Sequence, residues 1–260
     1  MAIIEVSGAG VDVEQMGRGR DLVLLHSLLT DRSVFDRVAP MLARTRRLSL
    51  LNLPGYGGSS PAGADIESYA DRVAATLAAL RLPRETDVLG NGFGGFIAVM
   101  LAVRHGRRFD RLIAAPALAG FPEPARQPFH RMAGLVSSQG MGAVLDAAIQ
   151  RMLPAAFVDN NPGVVAERKA SLAKADAACF ATACLALAKL NFSKEDLGSI
   201  GNPSLVMAGS EDATTPPALA RALAEGIPGA RFMLLEGCGH CPQLENPQAF
   251  VAALEGFLPR

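Results

Sequence analysis

Three stretches of this 260-residue chain carry residue types and spacings that could do chemistry. Residues 86–95 read T-D-V-L-G-N-G-F-G-G, with glycine at positions 90, 92, 94 and 95. Asp212 sits in G-S-E-D-A-T-T-P-P, and His240 sits in G-C-G-H-C-P-Q-L-E-N-P. A carboxylate that accepts a hydrogen bond from one imidazole nitrogen fixes the tautomer. The other nitrogen is then free to take a proton. What such a pair needs is a scaffold that brings residues 28 positions apart to one place.

The pattern around these stretches supplies one. Residues 21–26 (D-L-V-L-L-H) form a continuous apolar run, which marks a strand buried on both faces. Similar runs at 47–51, 87–90, 111–115, 204–208 and 231–235 predict further strands. Residues 3–6 and 11–15 predict a hairpin at a sheet edge with one wet face. Helical spacing predicts helices over 33–43, 66–82, 96–105, 218–225 and 248–257, with Asp65 as an N-cap and a stop at Pro83. Alternating strands and helices with strands this apolar imply an α/β fold, a mostly parallel sheet with helices on both faces. Between about 121 and 199 the strand signal vanishes. Pro122, Pro124 and Pro128 break the start, and helical periodicity follows over 130–153, 163–176 and 177–191. This segment predicts a helical insertion lying over the sheet, so the expected organisation is a core of 1–120 and 200–260 with a lid of 121–199. In open sheets of this kind the site forms beyond the carboxyl ends of the strands. The glycine-rich turn, Asp212 and His240 all follow predicted strand ends.

Bulk composition narrows the function. Half the residues are hydrophobic and 19% are charged, with 25 basic against 25 acidic residues. No net field recruits nucleic acid or an acidic membrane. The apolar runs are too short to span a bilayer, and the N-terminal M-A-I-I-E-V lacks the basic and apolar regions of a signal peptide. A cytoplasmic location is expected, and the four cysteines at 179, 184, 238 and 241 suit a reduced compartment.

The turn G-N-G-F-G-G resembles the nucleophile elbow of the α/β-hydrolase superfamily, G-x-S-x-G-G, in which a serine sits on a sharp, strained turn between strand and helix. Four further stretches are similar to the family's pattern and stand in its order: L-L-H-S-L-L, L-N-L-P-G-Y-G-G-S, the Asp212 loop and the His240 loop. The resemblance implies an α/β-hydrolase fold with a helical lid. It makes Gly92 the nucleophile position, Asp212 the acid, and His240 the base. The backbone N–H groups of Leu28 and Phe93 would form the oxyanion hole. It also implies that His26 organises its loop by hydrogen bonds. His105 and His130 read as surface or cap residues. Within the superfamily, A-A-C-F-A-T-A-C-L-A-L, L-G-S-I-G-N-P-S-L-V-M-A-G and H-S-L-L-T-D resemble the 3-oxoadipate enol-lactonase group. The expected substrate is therefore a small ester or lactone. Ser27, Arg126 and Arg131 are candidates to bind it, the arginines through a substrate carboxylate, and Met132, Met141, Met152, Phe129 and Phe157 are candidates to line an apolar cavity. No cofactor or metal is called for.

Gly92 keeps three readings open. It replaces a serine in order to trap a ligand, it marks a ligand-binding pseudoenzyme, or it belongs to an enzyme that needs only the histidine and the oxyanion hole. C–C bond hydrolases share G-N-S-F-G-G and form the runner-up class, but they favour tryptophan after the histidine, where this chain has Cys241. The C-G-H-C motif resembles a redox or zinc pair. It lies in the histidine loop rather than at the start of a helix in a thioredoxin-like context, and no fourth ligand is apparent.

Overall fold

A computed structural model describes residues 2–259. The strands are β1 (Ala2–Val6), β2 (Ala9–Gly17), β3 (Arg20–Leu25), β4 (Arg46–Leu51), β5 (Asp87–Gly90), β6 (Leu112–Ala114), β7 (Ser204–Gly209) and β8 (Arg231–Leu235). They form one sheet in the order β1-β2-β4-β3-β5-β6-β7-β8. Pairing is antiparallel from β1 through β2 to β4, and parallel from β4 to β8. The two antiparallel strands are the expected edge hairpin. All four residues of β5 and all six of β7 are buried, as strands covered on both faces must be.

The chain runs outward from β3 to β4, then returns to place β5 on the other side of β3. That reversal is a topological switch point, where the loops leaving β3 and β5 diverge and open a crevice at the carboxyl ends. His26 follows β3 and Gly92 follows β5, so the switch point puts both loops at one place.

Helices flank the sheet. Helix Phe93–His105 is buried along its first ten residues and packs on β3, β5 and β6. Helix Ile66–Ala79 lies beside it and starts as predicted, with the Asp65 carboxylate accepting from Ser68 N at 2.8 Å. Two predicted helices change. The 33–43 segment is a 3₁₀ turn, Arg32–Phe35, followed by a short helix, Ala39–Leu42. Pro40 has no N–H to donate into a continuous 33–43 helix, but it fits the first turn of the short one, where no N–H is needed. The prolines expected to break the start of the insertion instead open a helix, Glu123–Gln139. Pro124 sits in the first turn, where no N–H is needed, and Pro128 is absorbed at the cost of one bond.

From β6 the chain enters the helices Glu123–Gln139, Leu145–Met152, Ala155–Asn160, Pro162–Leu172 and Ala177–Lys189, and no strand of the sheet comes from this segment. It leaves and returns at one neck, where Gly120 bridges Asn191 and Phe192 N donates to Ala119 O at 2.7 Å. Among the described residues no single helix is long and apolar enough to cross a membrane.

At the opposite, amino ends of the strands, charge holds the sheet in register. Asp87 opens β5 and is fully buried. Arg20 grips it with Nε and Nη2 at 3.0 and 3.1 Å, and Arg46 Nη1 lies at 3.0 Å. Arg111 stands 3.9 Å away. Three cations from the starts of β3, β4 and β6 thus share one carboxylate. Burial pushes the Asp87 carboxyl up and the arginines only partly offset this, so the charge is held at a cost. Removing it leaves the buried Arg46 without a carboxylate, while Arg20 and Arg111 keep Asp110. We predict that Asp87→Asn lowers folding stability by about 3 kcal/mol, the lower end for a broken buried pair because Arg20 reaches solvent. Urea unfolding should show this as a lower midpoint with an unchanged slope.

Candidate active site

The elbow depends on close backbone approach. Gly92 has φ +53° and ψ −115°, a conformation that side-chain-bearing residues rarely adopt. Two residues on, a Cβ at Gly94 would stand 2.2 Å from Leu25 O. Gly94 N instead donates to His26 O at 2.9 Å, and Asn91 N donates to Leu25 O at 2.9 Å. The turn is therefore fastened directly onto the exit of β3.

His240 and Asp212 meet at this turn. His240 Nδ1 donates to Asp212 Oδ2 at 3.0 Å, and both side chains are buried. Asp212 Oδ1 accepts from Thr214 N at 2.8 Å and Thr215 N at 2.9 Å, while the Thr215 hydroxyl donates to Oδ2. Burial alone pushes the Asp212 carboxyl up, but the adjacent His240 and the Thr215 bonds overcome it and hold the group below its ordinary value. The ring is fixed with Nδ1–H toward the carboxylate, which leaves Nε2 as an acceptor. A Cβ placed on Gly92 would lie 2.6 Å from that Nε2. The imidazole thus points at the elbow.

The two expected oxyanion donors face the same spot. Phe93 is the first residue of its helix, so its N–H has no partner inside the helix. Ser27 O accepts from His26 Nδ1 at 2.8 Å and from the Thr30 hydroxyl at 3.2 Å. Across the planar trans peptide, the Leu28 N–H points the opposite way. Among the described residues neither N–H has an intramolecular acceptor. Leu28 O accepts from the Tyr56 hydroxyl, which fixes the next peptide.

His26 is an organiser by geometry. Its Nε2 accepts from Leu53 N at 2.9 Å, so one ring ties the loop after β3 to the loop after β4. Its surroundings exclude water, and this burial pushes its pKa from 6.5 down to about 4. His105 is paired with Asp71 at 2.6 Å and His130 is exposed.

Several positioning groups escaped the sequence reading. Asn91 Nδ2 donates to Ala115 O at 2.6 Å and His240 O at 2.9 Å, tying the elbow to the histidine loop. Glu245 closes the C-G-H-C loop, accepting from Gly239 N at 2.6 Å and Cys241 N at 2.9 Å. Thr214 and Thr215 bind Asp212 within a few residues of it. The D-x-T-T spacing was the available signal for that pair, since aspartate commonly bonds backbone N–H groups two and three residues on. Cys238 and Cys241 are buried free thiols. Burial pushes Cys238 up to about 11 and Cys241 well above the ordinary range, so neither is poised as a thiolate.

A narrow cavity of about 20 Å³ adjoins the elbow, room for a single water. Ser27, Leu28, Gly92, Phe93 and His240 form its floor, and Phe121, Phe129, Met132, Arg151 and Leu187 cover it. Of the five apolar residues expected to line it, Phe129 and Met132 do so. Met141 and Met152 are buried outside the cavity lining, and Phe157 is half-buried. Neither candidate arginine reaches the cavity: Arg126 donates to Phe121 O at 2.8 Å and stands 3.5 Å from Glu123, and Arg131 is exposed. The cation that lines it is Arg151. Its guanidinium lies 5.7 Å over the Phe129 ring and has no ion-pair partner among the described residues. The carbonyls of Arg151 and Met152 accept from Thr214 Oγ1 and His240 N, so the Asp212 and His240 loops fix this corner of the insertion. A larger cavity of about 570 Å³ opens where β6 and β7 begin, far from His240 in the sheet, and holds none of these groups.

An imidazole–carboxylate pair is aimed at a sharp strand-to-helix turn, with two unpartnered N–H donors beside it. The α/β-hydrolase family model matches residues 22–253, and the chain belongs to that family. It is 30% identical to a pimeloyl-[acyl-carrier protein] methyl ester esterase of Aeromonas hydrophila over 266 residues, covering 95% of this chain and 99% of the relative. It is 30% identical to 3-oxoadipate enol-lactonase 2 of Acinetobacter baylyi, covering 92% of this chain and 88% of the relative. The solved enol-lactonase of Burkholderia xenovorans LB400 superposes with a TM-score of 0.91 at 27% identity, covering 97% of this chain and 98% of that one. A thermophilic esterase of Thermogutta terrifontis gives 0.90 at 26%, covering 99% and 97%. The expected fold and the expected kinship with lactonases and esterases both hold.

The buried neutral His26 generates a pH dependence. Its pKa is lower in the folded chain than in the unfolded one, so between about 6.5 and 4 only the unfolded chain takes up this proton. Stability from this residue is complete above that window and is lost as pH falls through it. Going from pH 7 to pH 5 should cost about 2 kcal/mol through His26 alone. Denaturant melts at both pH values should show that loss reduced by about the same amount in His26→Gln.

Proposed function

We propose that the chain is a cofactor-free hydrolase scaffold for a small carboxylic ester or lactone. The observation that carries this is the aim of His240. Its Nε2 lies 2.6 Å from the Cβ position at residue 92, with Asp212 3.0 Å behind the ring. In the serine-bearing form a hydroxyl at 92 would attack the carbonyl with His240 as base. Asp212 would orient the ring, and the Leu28 and Phe93 N–H groups would hold the oxyanion. The acyl-enzyme would then be hydrolysed. With Gly92 the elbow offers no side chain to acylate, and this chain binds such a substrate without efficient turnover. The helices between residues 121 and 199 serve as the lid. With room for one water beneath them, Phe129 and Met132 must shift for a substrate to enter. Arg151 supports a substrate that carries a carboxylate near the scissile group, since burial in an apolar pocket disfavours a lone guanidinium and an anion would restore its balance.

Binding is measured on the protein as it stands. A thermal-shift panel of esters and lactones should raise the melting temperature, and more for carboxylated compounds than for their neutral isosteres. Arg151→Met should erase that preference. If no compound shifts the folded protein, the ligand-binding reading fails.

Turnover is measured on Gly92→Ser. Losing the nucleophile of a serine protease costs about 10⁶ in kcat. Restoring a serine should raise p-nitrophenyl acetate hydrolysis by at least about 10³-fold, a conservative share of that loss. The same change should lower stability by about 1–3 kcal/mol, because the side chain enters a strained turn. A folded, ligand-binding serine variant that stays inactive would favour the binding-protein or histidine-only alternatives.

A further inference from the structure

The space a serine at position 92 would use is not left to solvent. A Cβ on Gly92 would stand 2.4 Å from Ser27 Oγ and 3.0 Å from Ser27 Cβ. Ser27 is 2% exposed, and its Oγ lies 3.4 Å from His240 Nε2. That nitrogen is the acceptor end of the ring, so the Ser27 hydroxyl is the donor. The contact is long, as catalytic hydrogen bonds in unliganded sites often are.

We propose that Ser27 is the nucleophile this chain retains, a hydroxyl supplied from the loop after β3 to the base that serves the elbow. The inference rests on the hydrolase reading above. The oxyanion donors support it, because they serve either origin of the hydroxyl. In the family arrangement the hole combines the N–H of the residue after the nucleophile with an N–H from the loop after an earlier strand. For Ser27 the following N–H is that of Leu28, and the other is that of Phe93. The two donors exchange parts without moving. The Ser27 backbone is also held, with its N–H donating to Thr30 Oγ1 at 3.1 Å and its carbonyl bound by His26.

The chemistry balances with water as the only co-reactant. Ser27 Oγ bonds to the substrate carbonyl carbon as its proton passes to His240 Nε2. The bond from that carbon to the leaving oxygen breaks, and the leaving oxygen takes the proton from His240. A water then gives a proton to Nε2 and attacks the acyl carbon, and the Ser27 oxygen leaves and recovers the proton. The products are a carboxylic acid and an alcohol, or one hydroxy acid from a lactone.

The test uses diethyl p-nitrophenyl phosphate as a probe, which phosphorylates an activated serine and releases p-nitrophenol. Incubated with the parent chain, it should add slowly and once, on the tryptic peptide spanning 21–32, whose one serine is Ser27. Ser27→Ala and His240→Ala should each abolish the adduct and lower residual p-nitrophenyl acetate hydrolysis by at least about tenfold. Should Ser27→Ala not fold, Ser27→Cys gives a second measurement. Iodoacetamide at pH 7 should alkylate that cysteine at least about tenfold faster with His240 present than with His240→Ala. In Gly92→Ser the adduct should move to position 92, because the new Cβ displaces the Ser27 hydroxyl. A parent chain that takes no adduct, or whose residual activity survives Ser27→Ala, overturns the proposal. If Gly92→Ser reacts in that case, the hydrolase reading stands alone. If neither chain reacts, that reading falls with it.

Discussion

The site depends on one contact between two pieces of backbone, the exit of β3 and the elbow after β5. Gly94 N donates to His26 O, Asn91 N donates to Leu25 O, and no Cβ could stand between them at Gly94. This contact exists because β3 and β5 pair in parallel, with Leu25 opposite Gly90. Two N–H groups from segments 65 residues apart then face one point. Their alignment does not rely on any side chain reaching across the crevice. It follows from strand register and from the absence of a side chain at one position.

Placing an imidazole over that point requires buried polar groups, and each brings a cost if left unpaired. The chain meets this with a connected set. Asn91 joins the elbow to the His240 carbonyl, Glu245 binds the N–H groups on both sides of His240, and His240 N reaches Met152 O. Thr214 and Thr215 saturate Asp212. His26 joins two loops with one neutral ring. A set bonded this way resists local rearrangement, so the imidazole keeps its aim even though residue 92 gives it nothing to hold.

Much of this was legible in the sequence, for identifiable reasons. The bounds of β5 and β8 match the runs expected at 87–90 and 231–235. For β5 this is because its apolar residues are buried throughout. For β8, at the edge of the sheet, it is because its run of Phe232–Leu235 favours an extended chain even where it is part exposed. Asp212 and His240 were legible because each follows a strand end in a loop rich in Gly and Pro. Helix starts were less legible at prolines: Pro124 reads as a breaker and acts as a first-turn residue. Least legible were contacts made only by tertiary packing. Arg151 lies on the helix Leu145–Met152 with no pattern to set it apart from Arg126 and Arg131. It faces the cavity because Thr214 and His240 bind the carbonyls at the end of that helix. Likewise, no spacing rule links Asn91 to the carbonyl of a residue 149 positions away.

Gly92 unites the stability and the chemistry of this site. Its backbone at φ +53° costs a glycine little and a serine more, so the turn is relaxed where a serine would strain it. The relaxation does not empty the site, because the Ser27 hydroxyl stands where the new side chain would go. The volume beneath His240 Nε2 therefore admits one hydroxyl at a time, from residue 27 or from residue 92. A hydroxyl on the elbow is presented by a strained, rigid turn, close to the imidazole. One from Ser27 stands off at 3.4 Å on an unstrained loop. Backbone relaxation and the choice of hydroxyl are thus set against each other at a single position, while His240, Asp212 and the Leu28 and Phe93 N–H groups keep their arrangement.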